Sequence, residues 1–166
     1  MSDTDFFLLL DGIEGESNDL KHKGELQLSG YSRGSASPRD SATGMATGKA
    51  IWDDAHFTMR IDKSLTKLME SCGNNRIIKK AVLTCRKAGG KDSAGKSQSG
   101  QEYLVVTFTN GIVSSCRLRG SSDANPTPVV EFSMSYAIIT EDYKTQVQKG
   151  TLSGAVSYSH AIGEGA

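Results

Sequence analysis

The longest uninterrupted apolar run in these 166 residues is only five long, Phe6-Phe7-Leu8-Leu9-Leu10. A membrane-spanning helix needs about 18–20 such residues, so no segment qualifies. A secretory signal needs a positive start, an apolar stretch of roughly 7–15 residues and a small-residue cleavage site. Here Asp3 and Asp5 flank the run on one side and Asp11-Gly12 end it on the other. It reads as a buried strand closed by an Asp-Gly turn, and export by a cleaved signal is not expected.

An excess of charge is also missing, because 19 Lys and Arg offset 19 Asp and Glu. Nucleic acid and anionic lipid both require clustered Lys or Arg, so neither is an expected partner. The basic concentrations are Arg76-Lys79-Lys80, Arg86-Lys87 and Lys91-Lys96. Each is diluted by Gly, Ser or apolar residues and reads as a solvated face. Cysteine is sparse: Cys72, Cys85 and Cys116 are odd in number and widely spaced, with no CxxC. Zinc ribbons and thioredoxin-like motifs are thereby unsupported. Such cysteines pack as small hydrophobes and suit folding in a reducing compartment.

His22, His56 and His160 are far apart, and none stands one helical turn from another ligand type. No metal and no cofactor are expected. Asp53-Asp54-Ala55-His56 has the makings of a local Asp–His pair, but turn chemistry or a strand entry is the simpler reading. No serine lies in G-x-S-x-G with a helix following, and the carboxylates are scattered. No catalytic residue is nominated, and an enzyme is not expected.

What remains is alternation. One domain of this length buries roughly 70% of its unfolded surface, and most of its segments repeat with period two, the mark of half-buried strands. In "HFTMRID" the apolar set is Phe57, Met59 and Ile61. In "YLVVTFTNG" it is Leu104, Val106 and Phe108, and in "VVEFSMSYAI" it is Val130, Phe132, Met134, Tyr136 and Ile138. "GELQLSG", "KAVLTCR", "GIVSSCRLR" and "KGTLSGAVSYSH" repeat the pattern more weakly. Asn110-Gly111 between two such runs predicts a tight hairpin turn. One stretch breaks the rhythm: "DKSLTKLMESCG" sets Leu65, Leu68, Met69 and Cys72 at helical spacing. Asp62 or Ser64 serves as N-cap there, with Gly73 at C′. The expected fold is mainly β, antiparallel and barrel-like or sandwiched, with one flanking helix over about 62–73.

Two long polar stretches interrupt the strands, Tyr31 to Lys49 and Lys87 to Gln101. Loops of this length in a compact domain are usually functional or disordered. The second contains Gly90 to Ser97, "GKDSAGKS", which spells the phosphate-loop pattern G-x-x-x-x-G-K-[ST]. That pattern holds phosphate because its glycine loop opens a helix. Here alternating β-branched and aromatic residues follow, so nucleotide binding lacks its structural context. A monomeric β-barrel holding a small apolar ligand is the other alternative, and would need a dry interior cavity.

Three segments in order carry a resemblance: "FLLLDGIEGESND" with "KHKGELQLSGYSRG", Phe7 to Gly34; "FTMRIDKSLTKLMESCGNN", Phe57 to Asn75; and "VVEFSMSYAIITEDYKTQVQKG", Val129 to Gly150. Together they resemble the hemolysin-coregulated protein (Hcp) family, tube subunits of bacterial type VI secretion. The family's helix often begins Asp-Lys-Ala-Ser-Pro, where this chain has Asp62-Lys63-Ser64-Leu65. The resemblance covers nearly the whole chain and implies one domain over 1–166, a barrel of two antiparallel sheets with a flanking helix. It also implies a homo-hexameric ring that stacks head-to-tail into a tube within contractile sheath proteins. A spike protein caps that tube, effector proteins travel in its lumen, and the cytoplasmic subunit is secreted on firing. With no further domain expected after Gly150, the plain tube form is implied over the toxin-fused form. By the same resemblance the loop Tyr31–Lys49 becomes the ring-stacking contact. Arg33 and Arg39 would make charge-assisted contacts there, beside Asp40, and Met45 would fill a neighbouring pocket. Its Gly/Ser content alone leaves a disordered, solvated connection equally open.

Overall fold

Alternating strands need something to bury their apolar face against, and this chain supplies it by curling a sheet round on itself. The computed structural model describes residues 4–87, 100–122, 127–146 and 152–163. Its elements begin with β1 (Thr4–Leu10), β2 (Leu26–Ser32), β3 (Ser35–Ala36), β4 (Ile51–Trp52) and β5 (Ala55–Arg60). The helix α1 (Leu65–Gly73) follows. The remaining strands are β6 (Ile77–Lys87), β7 (Gln101–Arg119), β8 (Val129–Ser135), β9 (Ile138–Gln146) and β10 (Leu152–Ala161).

Eight strands form one antiparallel sheet in the order β10-β9-β7-β6-β1-β2-β5-β8, and β8 returns to pair with β7. That last pairing closes β7, β6, β1, β2, β5 and β8 into a six-stranded barrel. β9 and β10 project from it as a flap, while β3 and β4 form a separate two-stranded sheet. The fold is mainly β with one helix.

The barrel interior is filled by the predicted alternate residues. Phe57 lies 5.1 Å from Phe132 and meets Phe108 edge-on at 6.2 Å. Leu8, Leu26, Met59, Leu83, Val106 and Met134 complete the same cluster. Side chains therefore occupy the space that an interior apolar ligand would need, as far as the described residues go. Cys85 is buried, Cys72 and Cys116 are half-buried against the core, and all three are free thiols.

Asn110-Gly111 is not a hairpin turn. Both residues lie inside the 19-residue β7. The first half of that strand runs between β6 and β9, and the second half pairs with β8. The pairs Thr109↔Ile138 and Ile112↔Ser135 share one register, so β8 and β9 are a single line interrupted at Tyr136-Ala137. Beside the interruption Asn110 has φ 52°. A Cβ on Gly111 would stand 2.8 Å from Met134 Sδ and 2.9 Å from the Ser135 carbonyl oxygen. Left-handed tolerance and close backbone approach, the properties that suit Asn-Gly to turns, here kink a continuous strand. The kink lets the neighbouring line pass from barrel wall to flap. It also shifts the phase by one residue, so Ile139 is buried in place of the predicted Ile138. Ile61, just past the end of β5, is likewise exposed.

At the helix, Ser64 is the N-cap without a side-chain cap bond. The Asp62 carboxylate instead accepts from the Ser64 N–H at 2.8 Å and from its hydroxyl. The C′ position belongs to Asn75, at φ 52°, and Gly73 is the last helical residue. Arg76 N–H reaches Ser71 O at 3.1 Å across it, the bond that closes a helix ending in a left-handed residue. Arg86 is another departure: it is buried against Asp5 and Asp19 instead of lying on a solvated face with Lys87.

Candidate assembly site: an anchored arm and an uncovered sheet face

Between β2 and β5 the chain leaves the barrel as a narrow antiparallel arm. Asp53 N–H donates to Gly34 O at 2.9 Å, and Ser35 and Ala36 pair with Trp52 and Ile51. Farther out, Thr47 N–H donates to Pro38 O at 2.9 Å, and Arg39 bridges Ala46. At the tip the Asp40 carboxylate accepts the Ala42 N–H at 2.7 Å, while Gly44, at φ 70°, donates to Asp40 O. An Asx turn followed by a left-handed glycine is a local solution for reversing a chain. The stretch Tyr31–Lys49 is thus ordered by its own backbone bonds, and its first two residues finish β2.

Arg39, Asp40 and Met45 meet at this exposed tip, where Met45 is 69% exposed and Ile51 farther down is 62% exposed. Arg33 is not among them. It lies at the root, where its guanidinium pairs with Glu141 on β9 and donates to Tyr158 Oη on β10 at 3.4 Å. Its Nε is buried without a hydrogen-bond partner, as is Trp52 Nε1. The Trp52 ring stacks on His160 at 4.9 Å, and Tyr136 Oη donates to Asp53 O at 3.0 Å. Burial pushes the Tyr136 and Tyr158 phenols up from their ordinary values, keeping both protonated as donors. The arm is therefore bolted to the flap at its base, while its tip residues Arg39 to Lys49 are exposed. No sequence rule linked Arg33 to Glu141, which lies 108 positions away.

The flap carries the second feature. Leu104, Val106 and Phe108 point into the barrel, and their β9 partners are Tyr143, Glu141 and Ile139. The next strand adds Val156, Tyr158 and His160 in register on that face. Ile139 is buried, but Tyr143, Val156 and Tyr158 are 46%, 68% and 41% exposed. The core-facing side of the sheet thus runs on past the barrel: the arm's root covers it at Glu141 and His160 and touches Tyr158 at its hydroxyl, while Tyr143 and Val156 stay open among the described residues. β10 is also the sheet's open edge. The weak alternation in "KGTLSGAVSYSH" is the sequence signal of this face.

A cleft of about 470 Å³ opens at the arm's root, lined by Ser32, Arg33, Asp53, Asp54 and His56. Asp54 accepts from Ser114 Oγ at 2.6 Å, and Ala55 begins β5, so Asp53–His56 is a strand entry. Among the described residues no group of His, Cys, Asp and Glu could hold a metal ion, and no helix is long and apolar enough to cross a membrane. Gly90 to Ser97 lies outside the described residues, but β7 begins at Gln101, where a phosphate loop would need a helix.

Comparisons with known proteins bear on the whole chain. The family model described as type VI secretion system effector, Hcp, matches residues 7–143. Protein hcp1 of Pseudomonas aeruginosa is 30% identical over 152 residues, which cover 90% of this chain and 89% of that protein. The crystal structure of Hcp1 from Salmonella typhimurium matches with a TM-score of 0.76 at 27% identity, covering 97% of this chain and 96% of that one. A type VI secretion system effector from Yersinia pestis matches at 0.71 and 28% identity, over 95% and 100% of the two chains.

Proposed function

Because the chain belongs to the Hcp family of type VI secretion system proteins, we propose that it is a structural subunit of the secretion inner tube. In this reading six copies close into a ring, rings stack head-to-tail, and the tube leaves the cytoplasm on firing with effector proteins in its lumen. Contractile sheath proteins surround it and a spike protein caps it. Its role is structural and not catalytic.

The observation that carries the reading is the flap. Exposed Tyr143 and Val156, in phase with the core on strands that end in the sheet's open edge, favour burial against another protein. A closed ring of identical subunits covers every such edge, whereas open-ended pairing would build sheets without limit. The arm supports the stacking half. Its tip is exposed and its root is held by Arg33, Trp52 and Asp53, so Arg39, Asp40 and Met45 are presented away from the barrel. Stacking head-to-tail is a heterologous contact, in which one ring face must complement the opposite face of the next ring. Arg33 serves that contact indirectly, by setting the direction of the arm.

The test is the mass of the purified chain in solution together with negative-stain images. Six-subunit mass and annular particles are expected. A monomer that persists over a wide concentration range would overturn the proposal. Substituting Val156→Asp on the flap should shift a ring toward monomers without unfolding the barrel.

A further inference from the structure

Phe7 presents a puzzle that the tube role leaves untouched. Phe6, Leu8 and Leu10 face the core, so Phe7 faces outward on β1, yet it is only 2% exposed. Its cover comes from polar residues. The His22 ring stacks on it at 4.5 Å, nearly parallel, and the Arg86 guanidinium lies 4.8 Å from its centroid. His22 belongs to the connection between β1 and β2, residues Asp11–Glu25, which folds back over the barrel's outer wall.

Ile13 anchors the start of that connection in the core, and two side-chain clamps hold its His22 end down. In the first, Arg86 on β6 binds Asp19 at 2.7 Å and Asp5 on β1 at 3.1 Å. Asp19 in turn accepts the backbone N–H groups of Lys21 and His22. In the second, His22 Nδ1 lies 2.9 Å from Glu25 on its own segment, and Nε2 lies 2.9 Å from Glu102 on β7. His22 is 6% exposed. The charged groups around its ring are thus Asp19 and Glu25 from the connection, Asp5 from β1, Arg86 from β6 and Glu102 from β7.

A carboxylate oxygen only accepts, so two nitrogen-to-carboxylate bonds require two N–H groups on the ring. The alternative, a neutral ring with one protonated carboxyl, contains the same number of protons. Either way Glu25, His22 and Glu102 share two protons when both bonds are made. Remove one, and a ring lone pair faces a carboxylate oxygen across 2.9 Å, with the ring buried and Glu25 largely so while Glu102 is one-third exposed.

We infer that Glu25, His22 and Glu102 form a proton-gated latch that holds the segment Asp19–Glu25 over Phe7. Closed, it covers Phe7 on the outer wall of the barrel. Open, it uncovers Phe7 beside Leu9 and Val82, which are cross-strand partners on the same outward face. Burial also raises the Glu25 carboxyl above its ordinary value, the direction expected where a proton is retained.

The experiment is hydrogen exchange of the full chain as a function of pH, with ring-proton NMR reporting the protonation of the Glu25–His22–Glu102 cluster. Protection factors, corrected for the intrinsic dependence on pH, are read for residues 19–25. On deprotonation they should fall about tenfold, the scale of one lost charge-assisted bond. Strands β1 and β6 should keep theirs. In Glu102→Gln the amide can either accept from Nε2–H or donate to bare Nε2, so the segment should stay protected at every pH. A flat wild-type profile overturns the inference, as does a Glu102→Gln profile that still follows the wild type. Should Glu102→Gln fail to fold, His22→Gln is read the same way, because it has no ring proton to lose.

Discussion

Arg33 and Glu141 offer the sharpest test of how the arm is held. Both side chains are largely buried, at 20% and 16% exposure, and Arg33 Nε already lacks a partner. Removing one ion of a fully buried pair costs about 3–5 kcal/mol, because the other is left uncompensated. Partial exposure scales that down to about 2–3 kcal/mol here. At roughly 2–4 °C per kcal/mol for a chain of this size, Glu141→Leu should lower Tm by roughly 5–10 °C, and Arg33→Met by a similar amount. The double variant removes both charges and fills the space with apolar atoms, and should return to within about 1 kcal/mol of the wild type. The assay is a double-mutant cycle from denaturant midpoints at one fixed protein concentration, since ring formation would otherwise move the midpoint by mass action. A coupling energy above about 1.5 kcal/mol is expected. Additive single effects, with coupling under about 0.5 kcal/mol, would refute the claim that this pair anchors the arm.

Replacing Ser35 to Gly48 by a short Gly/Ser linker should leave the fold and the rings intact and abolish stacking into tubes, scored by electron microscopy. Loss of the folded subunit would contradict it. Gly73→Ala should raise stability by about 0.5–1 kcal/mol, because the residue is helical and a Cβ there meets nothing within 4 Å; a lowered Tm would refute that placement. Gly111→Ala should instead cost about 1–3 kcal/mol by denaturant midpoint, since its Cβ would press on the Ser135 carbonyl and on Met134. The Arg86 guanidinium hydrogen-bonded to Asp19 holds that carboxyl down at about 2 against an ordinary 3.8. A depressed carboxyl stabilises the fold above its unfolded pKa and loses that stabilisation as pH falls through the folded one. Allowing for solvent access, acid unfolding between pH 4 and 2 should therefore draw about 1–2 kcal/mol from this bond, and Asp19→Asn should flatten that part of the curve.

The barrel was legible because each wall strand has one buried face, and period two reports that directly. Phe57 and Met59, Leu104 to Phe108, and Val130 to Met134 all fell where alternation placed them. What alternation cannot report is a strand's neighbour. The spelling Asn-Gly records a need for left-handed and crowded backbone, which a kink within β7 satisfies as well as a turn does. Ile138 was misplaced because the kink at Tyr136-Ala137 drops one residue from the count. The arm's tip was legible as a candidate from its length and its Asp and Gly residues. Its root was not, since Arg33 meets Glu141 and Tyr158, and Trp52 meets His160, through pairings of β9 with β7 and of β10 with β9 that no local pattern encodes.

The five-residue apolar run near the start follows the same logic from the other side. A strand exposed on one face would have alternated, and Phe6 to Leu10 does not. Leu8 and Leu10 of β1 point into the barrel, and on the outward face Phe7 is covered by His22 and Arg86 while Leu9 is exposed. A run that mimics the opening of an export signal is therefore the imprint of a covering segment, and that cover is polar. An apolar cover would bind the wall permanently. A cover of one histidine, one arginine and four carboxylates holds only while its protons and charges are in balance. The physical content of the run is thus a wall strand whose outer face has been placed under electrostatic control, which is why the burial of Phe7 should respond to pH while that of Leu8 should not.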